Sequence, residues 1–228
     1  MPDFLHFIWL TAAGIGLFAF TEWVFNSLHK QYEQTRKIAH AGFGLLALFL
    51  PLCFDNPWWV LLLCGLFQLI LVVSNQYLML RSVLSVRRRY YGCLVYPIVV
   101  YLVYLIWFYS ESRQDQVAQS YAYFYLPILI LALCEPIAST VGSKYPIFKF
   151  QGFNKNLGRT LTFWAFAFLI CCIVLLSSHI FKSKDITWVA IFISSLVALI
   201  DYYSKKGLDN LFLPVVVLLA LYLVEYFF

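Results

Sequence analysis

In the stretch DYYSKKGLDNLFLP, Asp201 and Asp209 place two carboxylates on one short connector between apolar runs. Two such acids are a usual hard-oxygen supply for Mg²⁺, which takes one or two carboxylates together with the phosphates of a substrate. A plainer role covers part of the pattern. Asp209 or Asn210 can cap a following helix, Gly207 permits the turn before it, and Pro214 is tolerable in that helix's first turn. Capping leaves Asp201 unexplained.

Chemistry on metal-held phosphate also needs cations, and three further polar clusters supply them. In RKIAHAGFG, Arg36 and His40 are i, i+4 neighbours on a helix and Gly44 continues that face one turn deeper, so cations Arg36 and Lys37 and an imidazole stand over a groove opened by a small residue. Membrane-edge anchoring of Arg36 and Lys37 is the plain alternative. In LCEPIASTVG, Glu135 lies in an apolar stretch, where an ionisable group is costly enough to mark a functional position or else a buried structural hydrogen bond. Ala138, Ser139 and Gly142 follow on one narrow face that another helix or a ligand can approach, and Pro136 frees a carbonyl one turn back. In FNKNLGRT, Lys155 and Arg159 flank Gly158 where an apolar run begins, and helix N-termini offer unpaired N–H groups to phosphate.

Other chemistries lack their residues. There is no G-x-x-x-x-G-K and no G-x-G-x-x-G. Cys53, Cys64, Cys93, Cys134, Cys171 and Cys172 lie in or beside apolar segments without a C-x-x-C and are expected to pack, not to form disulfides or bind zinc. His6, His29, His40 and His179 are not at metal-ligand spacing.

The elements that must position these groups are membrane spans. Apolar residues make up 63% of the 228 and charged ones 12%, and the mean hydropathy is +0.81; a soluble domain does not look like this. A spanning helix needs about 20 mostly apolar residues, and eight stretches qualify, at about 4–26, 38–54, 57–80, 92–109, 121–142, 160–181, 187–203 and 211–228. No period-2 alternation suggests a β-barrel. The expectation is an all-α, multi-pass membrane bundle forming a single domain over residues 1–228, with no internal repeat and an N-terminal segment that is an anchor and not a signal peptide. Of the 16 Lys and Arg residues, 13 fall in the loops after the first, third, fifth and seventh segments. The positive-inside rule then puts those loops in the cytoplasm and both termini on the opposite side. Every polar cluster lies on the cytoplasmic side, a one-sided positive field suited to anionic headgroups or a nucleotide's phosphates.

Taken in order, R-K-x-x-H-x-x-x-G, an acid followed by P-x-A-x-x-x-G, K-x-x-G, and an acid eight residues before the Asp of G-L-D-N-x-x-x-P resemble the polyprenol kinase family that includes dolichol kinase and phytol kinase, from about Glu22 to Pro214. The resemblance implies a multi-pass enzyme moving the γ-phosphate of a nucleoside triphosphate, typically CTP, onto an isoprenoid alcohol. It places Glu135, Gly142, Lys155 and Gly158 in the nucleotide-binding stretch and Arg36, Lys37, His40, Asp201, Asp209 and Asn210 at the other polar positions. Three positions depart from the family pattern: Glu135 stands for Asp, Asp201 for Glu, and Pro146 for a Gly four residues after Gly142. The first two exchange a methylene, which keeps the span if both carboxylates share one metal–phosphate cluster.

Phosphoryl transfer asks a protein for positioning and charge neutralisation more than for covalent work. The expected roles are Glu135, Asp209 and Asp201 for Mg²⁺; Arg36, Lys37, Gly142, Lys155, Gly158, Arg159 and Asn210 for the nucleotide; and Asp201 or His40 for orienting or deprotonating the alcohol. The expected partners are a nucleoside triphosphate, an isoprenoid lipid alcohol and membrane lipids, with no nucleic acid. A cytidylyltransferase forming a CDP-lipid is an alternative, although its usual basic K-D, H-G-G and D-R-x-D ending is absent. A non-enzymatic carrier of an anionic lipid is another, favoured by polar groups at the midplane of several helices, whereas here they gather at one face.

Overall fold

The computed structural model of the chain describes residues 2–28, 32–77, 79–84, 92–111, 117–145, 155–178, 180–181, 183–204 and 207–227. Its elements are α1 (Pro2–Ser27), α2 (Tyr32–Ala47), α3 (Leu50–Cys53), α4 (Pro57–Tyr77), α5 (Gly92–Glu111), α6 (Val117–Leu129), a π-helical turn (Ile130–Cys134), α7 (Glu135–Lys144), α8 (Leu157–Ser178), α9 (Ser183–Tyr203) and α10 (Asp209–Phe227). No strand occurs among the described residues, and eight helical spans are long and apolar enough to cross a membrane. Pro146 and the loop cations Lys30, Arg87, Arg88, Arg89, Lys149, Lys205 and Lys206 lie outside the described residues.

The span built from α6, the π-helical turn and α7 sits at the centre, touching α2, α5, α8 and α10. Within its apolar window 56% of residues are buried, against 22% for α1 at the rim. Small residues let the neighbours close on each other: Phe163, Ala167, Cys171 and Leu175 form an i, i+4 stripe on α8 that is wholly buried, and α9 meets the core with Ala190, Ile193 and Val197. The opposite faces carry exposed Leu169, Ile173, Trp188 and Leu199, an apolar exterior that hydrocarbon solvates and water does not. Cys64, Cys134 and Cys171 are buried among these side chains, the packing role expected of them.

One boundary differs usefully from the hydropathy reading. The second span begins at Tyr32, not near residue 38, so Arg36 and Lys37 lie inside α2 and not at its mouth. Its first turn packs one face on protein, where Thr35 is fully buried and its hydroxyl donates to the Ser82 carbonyl at 2.8 Å, while Glu33 and Gln34 are exposed. Hydropathy registers apolar side chains, so a helix end that begins with polar residues escapes it.

Candidate active site

The first half of the site is built at the start of α8. Asn156 caps the helix, its Oδ1 accepting the Arg159 N–H at 2.8 Å, while its Nδ2 donates to the Gly142 carbonyl at 2.7 Å. The N–H groups of Leu157 and Gly158, at the helix's positive end, have no partner among the described residues. Gly142 is a contact residue: a Cβ there would stand 2.5 Å from Arg159 Cβ and 3.0 Å from Arg159 Cα. Sequence reading marks this face as open to another helix or a ligand, and the structure gives it to α8. Gly142→Ala is therefore expected to push the α8 start away from α7. The stability cost should be on the order of 1–3 kcal/mol, read as a lower melting temperature in detergent together with reduced activity.

That docking aims two cations at two acids. Lys155 Nζ donates to Asp201 Oδ1 at 2.9 Å, to Asp209 Oδ2 at 3.3 Å and to the Asp201 carbonyl, and Arg159 Nη2 reaches Asp201 Oδ1 at 3.3 Å. Asp201 is fully buried at the end of α9, and Asp209 is 3% exposed at the start of α10. Gly207, with φ of 84°, makes the intervening turn in the left-handed region that favours glycine. The capping role open to Asp209 and Asn210 is not what their side chains take up. Asp209 turns Oδ2 to Lys155 and sets Oδ1 3.3 Å from the next residue's N–H, and Asn210 Nδ2 donates to the Gly92 carbonyl at 2.9 Å, tying α10 to α5.

The second half gathers on Glu135, 6% exposed at the junction of the π-helical turn and α7. Pro136 has no N–H to return to that turn, and the Leu131 carbonyl is met by His40 Nε2 at 2.8 Å. A carbonyl only accepts, so Nε2 carries the hydrogen and only Nδ1 of His40 has a lone pair. The same Nε2 is 3.8 Å from Glu135 Oε2, and Arg36 Nη2 is 3.9 Å from Glu135 Oε1. Tyr96 packs its ring edge-on to the imidazole, centroids 4.7 Å apart, and its hydroxyl donates to the His40 carbonyl at 3.4 Å. Gly44 does not open a groove there, because a Cβ would meet Ala132 Cβ at 2.1 Å and Tyr96 Oη at 2.7 Å. Its missing side chain is what lets α2 close on the central span. Lys37 points aside, to Thr140 Oγ1 at 3.5 Å.

All four polar clusters thus converge, but as two adjoining groups joined by the Gly142–Arg159 contact. Glu135 takes its cations from α2, whereas Asp201 and Asp209 take theirs from α8 and its approach. Among the described residues no three His, Cys, Asp or Glu side chains are grouped so as to hold a metal by themselves, so Glu135, Asp201 and Asp209 do not form a ready three-acid ligand set. Mg²⁺ needs fewer, because substrate phosphates and waters complete its shell. Two hard oxygens beside the Lys155 cluster, Asp201 Oδ2 and Asn210 Oδ1, are buried without a hydrogen-bond partner among the described residues, as is Arg159 Nε. Native proteins rarely leave such atoms unpaired, and this donor set fits a Mg²⁺–phosphate ligand.

Asn156, Tyr96 and the Leu131 carbonyl escape sequence reasoning. Asn156 carries a signal, a capping residue directly before an apolar run. Tyr96 carries none among 16 tyrosines, and the carbonyl is betrayed only by Pro136. Beside the Glu135 group, Arg36 and His40 also line a half-open, otherwise apolar groove among α1, α2, α4 and α5.

The sequence is 30% identical over 213 residues to a phytol kinase of Synechocystis sp., an alignment covering 90% of this chain and 85% of that protein. No family model and no solved structure matches. With near full-length similarity to a phytol kinase and the polar clusters drawn together as described, the chain belongs to the family of polyprenol and phytol kinases.

Proposed function

We propose that this protein transfers the γ-phosphoryl group of a nucleoside triphosphate, CTP, to the hydroxyl of an isoprenoid alcohol, giving a lipid monophosphate and CDP. It is a phosphotransferase with an alcohol acceptor. The observation that carries the reading is a cation-rich, carboxylate-backed cluster at a helix N-terminus adjoining the Glu135 group, whose Arg36 and His40 also line an apolar groove. The cluster suits a polyphosphate and the groove a lipid alcohol.

Lys155, Arg159 and the N–H groups of Leu157 and Gly158 hold the phosphates by charge and hydrogen bonding. Lys155 turns from its acids to the phosphate, which leaves oxygens of Asp201, Asp209 and Asn210 for the metal side. Those oxygens would hold Mg²⁺, which would supply charge neutralisation on the phosphates. Arg36 and His40, which line the groove, orient the hydroxyl. The hydroxyl oxygen bonds to the γ-phosphorus, the bridging oxygen leaves with CDP, and the proton goes to a Glu135 carboxylate oxygen. Both Asp201 and the Nδ1 lone pair of His40 are further groups that can orient the alcohol.

Incubating the detergent-purified protein with Mg²⁺, labelled CTP and a panel of prenyl alcohols should give lipid monophosphate and CDP. Pyrophosphate release would show cytidylyl transfer instead, and absence of product with every alcohol and nucleotide would overturn the reading. The loop charges further support a cytoplasmic site with both termini on the opposite side. A reporter that works only in the cytoplasm should be silent when fused after Phe228; an active one would overturn this orientation.

A further inference from the structure

The first span carries a charge that the transfer does not use. Glu22 lies near the end of α1, a 26-residue, largely apolar helix, and an ionisable group in such a span demands an account. Its Oε2 accepts the N–H of Ser82 at 3.1 Å. Ser82 belongs to a tight turn after α4, in which the Val83 and Leu84 N–H groups donate to the Leu80 carbonyl at 3.2 and 2.9 Å. It is fully buried, and each of its polar groups is met by a side chain of another element. Glu22 takes the N–H. The hydroxyl donates at 3.4 Å to Thr21 Oγ1, whose own hydrogen goes to the Phe18 carbonyl at 2.9 Å, and the carbonyl accepts from Thr35 Oγ1 at 2.8 Å. The Val83 carbonyl then accepts from Tyr32 Oη at 3.2 Å. Thr21 and Glu22 belong to α1, Tyr32 and Thr35 to α2, so the turn is a strap tying the first turn of α2 to α1.

That first turn is where a helix is weakest, because its N–H groups have no intrahelical acceptor and its ends fray first. Directly after Thr35 comes Arg36, whose Nη2 stands 3.9 Å from Glu135 Oε1. A guanidinium on a long stem goes where its backbone carries it, and here the backbone is held from outside the helix. We propose that Glu22 is a positioning residue for the transfer: by gripping the Ser82 N–H it seats the strap, the strap seats the first turn of α2, and that turn sets Arg36 against Glu135. This role rests on the lipid-alcohol kinase reading, in which Arg36 orients the acceptor hydroxyl. Lys155, Arg159, Asp201 and Asp209 bond among themselves and not to the strap, so the nucleotide side is left alone.

Turnover per nucleotide-binding site, counted by equilibrium binding of labelled CTP so that unfolded protein does not enter, tests this. Glu22→Leu should lower kcat at saturating alcohol at least tenfold while KM for the triphosphate stays within about twofold. Glu22→Gln keeps an oxygen for the Ser82 N–H and should retain most of the wild-type kcat. Thr35→Val removes the bond on the other side of Ser82 with little change of shape and should reproduce the loss. The double variant Glu22→Leu, Thr35→Val should be hardly worse than either single one, because both act through one strap. Hydrogen exchange on the full-length protein in detergent needs no turnover: in Glu22→Leu the peptides spanning Ser82 and Thr35 should exchange at least tenfold faster, and those spanning Asn156 to Arg159 at the wild-type rate. Unchanged kcat per site in Glu22→Leu, a Gln variant as impaired as the Leu variant, additive losses in the double variant, or unaltered exchange at Thr35 would each overturn the role of Glu22 and leave the kinase reading intact. Wild-type protein that phosphorylates no alcohol would overturn the kinase reading and this role with it.

Discussion

Lys155→Ala is expected to lose nucleotide use and stability together. Lys155 is the common partner of Asp201 and Asp209, and its side chain is only 11% exposed against 0% and 5% for theirs. Removing a cation from such a cluster leaves buried negative charge uncompensated, a loss on the order of 3 kcal/mol, because the desolvation of the remaining acids is no longer offset. Arg159 still reaches Asp201, so Asp209 is the acid left exposed to the full penalty. The double variant Lys155→Ala, Asp209→Asn should therefore recover part of the lost melting temperature. It should not recover the nucleotide: the apparent KM for the triphosphate rises sharply in both variants, since a lysine ahead of a helix N-terminus is a phosphate counter-charge. Should only the alcohol dependence move, Lys155 would belong to the lipid entrance and not to the phosphates.

How much of this was legible beforehand divides along physical lines. Lipid-facing helices announce themselves, because every outward side chain must be apolar; all eight spans are visible, with ends displaced where a helix begins with polar residues, as at Tyr32 to Thr35. Acids such as Glu135 and Asp201 were visible for the complementary reason, since a charge in an apolar run demands an account. Their partners were not. Which cation meets which acid depends on how α8 docks on α7, and that rests on Gly142 having no side chain, a fact that sequence marks only as a small residue. The expectation that Glu135 and Asp201 share one cluster is the instructive case. Their exchanged lengths suggested a common centre, but Glu135 is met by Arg36 and His40 and Asp201 by Lys155 and Arg159, so any shared phosphate must bridge two groups and not one. Likewise His40 was visible as a candidate base, whereas its Nε2 being committed to the Leu131 carbonyl required the π-helical turn.

Asp209→Asn should leave a folded, membrane-inserted protein with turnover reduced on the order of 100-fold, the scale of losing one preorganised electrostatic group at a reacting phosphate. Asparagine has nearly the shape of aspartate and keeps an oxygen for the Asn210 N–H that Asp209 Oδ1 faces at 3.3 Å. Lys155 retains its shorter bond to Asp201, at 2.9 Å, so no buried charge is abandoned and the melting temperature should move little. What disappears is one negative charge beside the hard oxygens of Asp201 and Asn210. A carboxylate serving only to steady Lys155 can be spared, because Asp201 remains. A carboxylate that draws a divalent cation to the triphosphate cannot, since an amide oxygen binds Mg²⁺ far more weakly. The two roles separate on titration with metal: excess Mg²⁺ or Mn²⁺ should restore turnover in part and raise the metal concentration needed for half-activity. Wild-type turnover in a well-folded variant would confine Asp209 to its bond with Lys155 and leave the metal to Asp201 and Asn210.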